Sequence, residues 1–290
     1  YAGCSMYLSC SARSYNLGSI GNIGARFRFP LDVSIGSNSA NVFLINSGEL
    51  QIRRININES MTYNFAGFNS CTLSTNPHLP CGVNLSNPVG IASSIVGNEE
   101  IVCLSQNNQI TLFRMPIGSN QNICGIKCNG NQIFFDDLNS IIQKSDIPGD
   151  SNPRGIDIHE GLHQAFICLS NAVNNRIVSM DLNDTTILNN VVNFNGEYDA
   201  LDLTIDEYSN NLFFLDDKSK RIGYFNLNDP MNIKFLKILN DCPEDPNSQD
   251  LVLNQPQGIS IHKDPQIRAR VLYITELGPR GSSVRKIILN

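Results

Sequence analysis

Short apolar runs recur along the chain and are separated by small polar residues. Val42-Phe43-Leu44-Ile45, Ile101-Val102-Cys103-Leu104, Ile133-Phe134-Phe135, Ala165-Phe166-Ile167-Cys168, Leu212-Phe213-Phe214-Leu215 and Val271-Leu272-Tyr273-Ile274 are such runs. Each is followed by Asn, Asp, Ser or Gly, as in Asn46-Ser47-Gly48 and Gln106-Asn107-Asn108. A further run then alternates apolar and polar positions, as in Arg176-Ile177-Val178-Ser179-Met180 and Arg221-Ile222-Gly223-Tyr224-Phe225. Period-2 alternation over β-branched and aromatic residues, bounded by turn formers, predicts strands. Runs that are apolar at every position predict strands buried on both faces.

Ahead of each apolar run stands a second signature, Pro or a substitute, any residue, Gly or Asp, then alternating apolar residues. It reads Pro30-Leu31-Asp32-Val33, Pro88-Val89-Gly90-Ile91, Pro153-Arg154-Gly155-Ile156 and Pro256-Gln257-Gly258-Ile259, with weaker copies at Ile123-Cys124-Gly125-Ile126 and Ala200-Leu201-Asp202-Leu203. Internal repetition at this scale marks a repeat architecture. Small antiparallel sheets cannot each bury both faces alone, and radial packing solves this while leaving few exposed edges. The expectation is an all-β, six-bladed β-propeller with three to four antiparallel strands per blade. Residues 28–290 form the propeller, and an N-terminal segment, residues 1–27, supplies a strand around Tyr7-Leu8 that closes the last blade beside Val284 to Leu289. The third copy is short. Long insertions, Asn69 to Asn87 and Asn240 to Gln255, precede the second and sixth copies, and variable loops on a regular core are where recognition is usually built.

Asn87-Pro88-Val89-Gly90-Ile91-Ala92, preceded by Phe65-Ala66-Gly67, resembles the NHL repeat. Leu212-Phe213-Phe214-Leu215-Asp216-Asp217, through Arg221-Ile222 to Leu227-Asn228-Asp229, resembles the related YWTD repeat without its Tyr-Trp-Thr-Asp core. The resemblance implies a six-bladed propeller and leaves function open, since such propellers serve as enzymes, RNA binders, receptors and extracellular scaffolds.

Composition narrows this. The 290 residues are 41% hydrophobic and 17% charged, with a net charge of −6. That balance is globular and lacks the basic footprint of nucleic-acid binding. No stretch reaches the roughly 18 apolar residues of a membrane-spanning helix. Nine cysteines, an odd number, leave at least one outside any intrachain pairing. Cys4 with Cys10 and Cys71 with Cys81 flank short loops and are disulfide candidates, whereas Cys103 and Cys168 lie inside apolar strands and read as buried core thiols. Asn58, Asn84 and Asn183 begin Asn-x-Ser/Thr sequons. Together these point to a secreted or cell-surface chain.

Candidate chemistry is sparse. His159-Glu160-Gly161-Leu162-His163 matches a zinc-protease pattern, but that motif needs a helix to set both imidazoles on one face. Here it lies between two strands and reads as a hairpin turn. Acidic turn residues, led by Asp136, Asp137, Asp216 and Asp217, predict an acidic face for a basic partner or Ca²⁺. Asp32 and Asp202, on inner strands, are candidate metal ligands, with Asp157 a third inner-strand acid. The reading these observations favour is an extracellular, non-enzymatic module that binds another protein or a second copy of itself. It recognises its partner through long loops and an acidic face, and no cofactor beyond Ca²⁺ is expected. The alternative is a metal-dependent propeller enzyme, lactonase-like or amidating-lyase-like, with its site at the central channel.

Overall fold

The computed structural model describes residues 27–36, 41–58, 61–67, 85–107, 109–117, 125–126, 133–134, 141–146, 152–170, 175–186, 188–237, 252–264, 269–278 and 281–289. The chain divides into two compact units, Tyr1–Pro148 and Gly149–Asn290.

In the first unit, β1 (Pro30–Ile35), β2 (Asn41–Asn46), β3 (Gln51–Asn56) and β4 (Met61–Ala66) form an antiparallel meander in that order. β5 (Pro88–Val96), β6 (Glu99–Gln106) and β7 (Gln109–Pro116) begin a second meander. A two-stranded ladder, β8 (Gly125–Ile126) with β9 (Ile133–Phe134), follows, and then β10 (Ile141–Asp146) returns to pair with β7 as the outer strand of the second sheet. The core of this unit holds Phe43, Ile45, Ile52, Phe65, Ile91, Val102, Leu104 and Phe113. Phe65 meets Phe43 and Phe113 edge to face, with centroids 5.0 and 5.2 Å apart, the arrangement that ring quadrupoles favour.

In the second unit, β11 (Asn152–His159), β12 (Gln164–Ser170), β13 (Arg176–Asp181) and β14 (Leu188–Asn193) form one meander. β15 (Ala200–Asp206), β16 (Asn211–Asp216), β17 (Arg221–Asn226) and β18 (Asp229–Phe235) form the next. β19 (Gln255–Asp264), β20 (Ala269–Gly278) and β21 (Gly281–Leu289) form a third, three-stranded sheet. The continuous apolar run of β16 has a physical reason. Leu212 and Phe214 enter the cluster shared with Phe166, Cys168 and Leu203, while Phe213 and Leu215 enter the opposite cluster with Ile259, Leu272 and Ile274. Alternate side chains leave opposite faces of a strand, so a strand buried on both sides must be apolar throughout.

The described residues thus contain five sheets of three or four strands, and the expected count of six is corrected to five. The copy that fails is the short third one. Among the described residues its Ile126 and Ile133 form a two-stranded ladder, and the strand that should have completed it, β10, is hydrogen-bonded into the sheet before it. The last sheet ends on β21 as its third strand, as expected, whereas the proposed closing strand around Tyr7-Leu8 lies outside the described residues.

The Pro-x-Gly/Asp signature has one structural meaning in all five sheets. The ladder to the second strand shifts register between Pro30 and Val33, Pro88 and Gly90, Pro153 and Ile156, Ala200 and Asp202, and Pro256 and Gly258. A β-bulge leaves one residue unpaired and re-aims the strand, and proline, with no N–H to give a ladder, is tolerated at strand starts and bulges.

Candidate functional site

Two polar systems are built on this frame. The first runs between neighbouring inner strands. The bulge at Asp32 turns its carboxylate toward β5, where Oδ2 accepts the Ile91 N–H at 2.8 Å and Oδ1 accepts the Val33 N–H at 2.8 Å. Ser34, two residues on, accepts the Ser93 N–H at 2.9 Å. The same device recurs at Asp202, whose Oδ2 accepts from Ile259 N and whose Oδ1 accepts from Leu203 N, both at 2.9 Å, while Thr204 Oγ1 accepts the Ile261 N–H at 3.2 Å. At β11 it shifts by two residues. Gly155 takes the bulge position, and Asp157 accepts from Ile158 N at 2.8 Å, Ile205 N at 2.9 Å and the Thr204 hydroxyl at 3.1 Å. Thr204 therefore links β11 to β19 through β15.

The candidate metal ligands Asp32 and Asp202 thus each carry a backbone N–H on both carboxylate oxygens, and they bind inner strand to inner strand. Charge-assisted hydrogen bonds of this kind contribute about 1.5–3 kcal/mol each. Among the described residues, no three His, Cys, Asp or Glu side chains gather as a metal site. Burial, partly offset by its amide and hydroxyl donors, pushes the Asp157 carboxyl up to about 6.

The second system lies at the start of the first strand, beside the bulge, in four of the five sheets. The residue opposite the first-strand proline, or its substitute, is polar and buried: Asn46, Gln106, Asp216 and Glu276 are each no more than 3% exposed. Each side chain caps the chain arriving at the inner strand. Asn46 Oδ1 accepts from Arg28 N, Gln106 Oε1 from Ser86 N at 2.9 Å, Asp216 Oδ1 from Asp199 N at 2.8 Å, and Glu276 Oε1 from Asn254 N at 2.8 Å. In the sheet of β11–β14 Pro153 faces Leu169 instead, and the next residue, Ser170, opposite Asn152, donates its hydroxyl to Asp199 Oδ1.

These caps bear directly on the expected acidic face. Asp216 is fully buried, with the Asp199, Lys218 and Ser219 amides and the Ser219 hydroxyl on its carboxylate, so it builds the turn and is not displayed on a surface. Asp217 is part-exposed and paired with Lys220, and Asp199 with Arg154 at 3.4 Å. Glu276 holds Arg285 at 2.9 Å. Asp136 and Asp137 lie outside the described residues, as do Cys4, Cys10, Cys71, Cys81 and Asn84. Asn58 and Asn183 are exposed.

The His-Glu-x-x-His segment is the hairpin turn between β11 and β12, as its position predicts. His159 Nδ1 accepts the Leu162 N–H at 3.2 Å and its Nε2 lies 3.1 Å from Asn210 Oδ1, while His163 sits at a positive φ of 52°. Cys103 and Cys168 are unpaired and buried, and burial pushes the Cys103 thiol up to about 12 and the Cys168 thiol well above its usual value.

A cavity of about 460 Å³ opens in the second unit beside Asp206, Tyr208, His262, Lys263 and Arg270. No sequence motif points to it, because its residues come from four strands and a turn with no shared spacing. The caps carry a weak signal: one polar residue ends, or closely follows, each long apolar run.

No protein-family profile matches the chain, and no curated protein matches it. Solved structures do. A chain of a nidogen/laminin complex aligns at a TM-score of 0.55 and 16% identity, over 90% of this chain and 76% of that one. The major Malassezia sympodialis allergen Mala s 1 aligns at a TM-score of 0.50 and 10% identity, over 90% and 79%. Regucalcin from Agrobacterium tumefaciens, a calcium-binding protein, aligns at a TM-score of 0.50 and 6% identity, over 89% and 70%. At these identities the likeness carries the fold alone: the chain is a β-propeller, with five blades of three or four antiparallel strands among its described residues.

Proposed function

We propose that the chain is a non-enzymatic extracellular module that binds another protein, or a second copy of itself, through its two long insertions, Asn69 to Asn87 and Asn240 to Gln255. One observation carries the reading. Each insertion returns to the fold at a backbone amide held by a buried side chain: Ser86 by Gln106 after the first, and Asn254 by Glu276 after the second. Leu253 N adds a bond to Lys220 O at 2.7 Å. Loops whose ends are fixed on rigid strands present their residues at lower entropic cost, the arrangement binding loops require. The nidogen/laminin structure, a protein complex, is in keeping with this use of the fold. Disulfides at Cys4–Cys10 and Cys71–Cys81, and glycans on Asn58, Asn84 and Asn183, belong to the same reading. So does an acidic contribution from Asp136, Asp137 and Asp217, for which Ca²⁺ is an alternative occupant.

The test is capture of binding partners from extracellular fluid by the full chain and by a variant with both insertions replaced by short Gly/Ser linkers, with its melting curve as a folding control. Partners held by the full chain and lost by the folded variant support the reading, and equal capture by both overturns it. Stoichiometric bound metal together with lactone or ester hydrolysis lost on Asp202→Asn would put the metal-dependent enzyme in its place.

A further inference from the structure

We propose that the second unit carries a carboxylate-binding pocket that docks an acidic peptide segment of a partner, flanked by apolar residues. The proposal rests on the protein-binding reading above and names a second contact, at the opposite end of β19 from Gln255.

The cavity forms where β19 leaves and β20 begins. Lys263 and Arg270 stand directly opposite each other in that ladder, and both line the cavity. Residues opposite each other share a face, and like charges so placed repel. Asp206 is the one acid in the lining, and it is engaged: its Oδ2 takes an Arg270 N–H and the Ser209 hydroxyl. It is also buried, with a side chain 7% exposed against 28% for Arg270. Asp206 therefore fixes the guanidinium from behind. Among the described residues no acid pairs with Lys263. A site with two facing cations and one committed carboxylate is short of an anion, in a chain whose net charge is −6.

The rest of the lining says what carries that anion. Ile261, Ala269 and Leu289 supply an apolar wall. Tyr208 is 89% exposed, yet its ring is held 5.3 Å from the Arg270 guanidinium carbon. A guanidinium that lies over an aromatic ring and is tied to Asp206 is restrained in orientation, and its remaining N–H groups can meet a carboxylate. An exposed aromatic beside an arginine is also the composition of interface anchors. Hydrated inorganic anions would leave the wall and the ring unused, whereas a Glu or Asp side chain next to a Leu or Phe would fill both parts.

The experiment is fluorescence anisotropy of the full chain with a labelled Ac-Leu-Glu-Phe-Glu-Leu-amide peptide and its Gln counterpart. Lys263→Glu serves as the surface variant, and Arg270→Lys keeps the charge while removing the fork. Saturable binding of the Glu peptide, at least about tenfold weaker for the Gln peptide and for either folded variant, is expected. Absence of binding, equal binding of the Gln peptide, or unchanged binding by Lys263→Glu overturns the proposal. Displacement by acetate or phosphate as readily as by unlabelled peptide overturns the peptide assignment in favour of a bare anion site. Failure here with insertion-dependent capture intact refutes the pocket alone, while peptide binding without insertion-dependent capture refutes the function proposed above.

Discussion

Gly155 makes room for Asp202. A Cβ on Gly155 would lie 2.0 Å from Asp202 Oδ1 and 2.5 Å from its Cα, so the inner strands β11 and β15 can approach, with the aspartate turned toward β19, only where residue 155 has no side chain. The small position of one copy of the repeat is thus shaped by the acidic position of the next. Gly155→Ala is expected to destabilise the chain by about 1–3 kcal/mol, the usual range for overpacking. Asp202→Gly should rescue it only in part, because the backbone at position 202 still crowds the added methyl. A double-mutant cycle in urea measures both, and full rescue would show that the carboxylate alone sets the constraint.

Asp202→Ala removes the acceptor for the Ile259 and Leu203 amides. Leaving buried donors unpaired costs about 1–3 kcal/mol each. Bound Ca²⁺ would protect the parent chain against denaturation if this residue were a metal ligand, so the comparison is made with and without chelator. A loss of stability that is the same in both conditions is the expected result.

The caps predict an unusual tolerance. Glu276 holds the Asn254 amide as Gln106 holds that of Ser86, so Glu276→Gln keeps the cap and gives up only part of the Arg285 pairing. Glu276→Ala loses both and is expected to cost about 1–3 kcal/mol more than the glutamine variant, read from denaturation midpoints. Amide exchange at Asn254 should quicken in the alanine variant and stay slow in the glutamine one.

Asp157 gives a pH dependence of definite sign. Its carboxyl titrates at about 6 in the folded chain against an ordinary 3.8, so between these values the folded state holds a proton that the unfolded state has released. The stability tied to that proton is complete below the lower value and is lost as pH rises through the upper one. Urea midpoints across this window should fall with rising pH in the parent and flatten in Asp157→Asn. A parent chain whose stability rises there would contradict the assignment.

Cys103 and Cys168 should resist thiol reagents in the native state, because both are buried and burial disfavours the thiolate that reacts. Labelling followed by peptide mapping is expected to find both only after unfolding. Rapid native labelling of either would mean that its strand opens locally.

Much of the frame was legible in the residues themselves. The apolar runs are strands, the Pro-x-Gly/Asp copies open inner strands, and the zinc-protease pattern falls on a hairpin, because each follows from local periodicity and turn chemistry. The third copy misled for a non-local reason. Ile141-Ile142 has the pattern of a strand, but nothing in that pattern says whether it completes its own repeat or pairs with β7 of the repeat before. Asp216 and Asp217 differ likewise. Adjacent in sequence and chemically identical, one is fully buried under the incoming chain while the other is part-exposed and pairs with Lys220.

The sequence by itself determined the repeat, the strand identity of its segments and the burial of their apolar faces, since these depend on neighbours along the chain. The tertiary structure decided the number of blades, the use of aspartates as ties between inner strands, the buried caps on the chain entering the inner strands, and the pocket at Lys263 and Arg270. Those depend on which distant segment arrives opposite a side chain, and a polar group's role is set by the donor, acceptor or charge that meets it there.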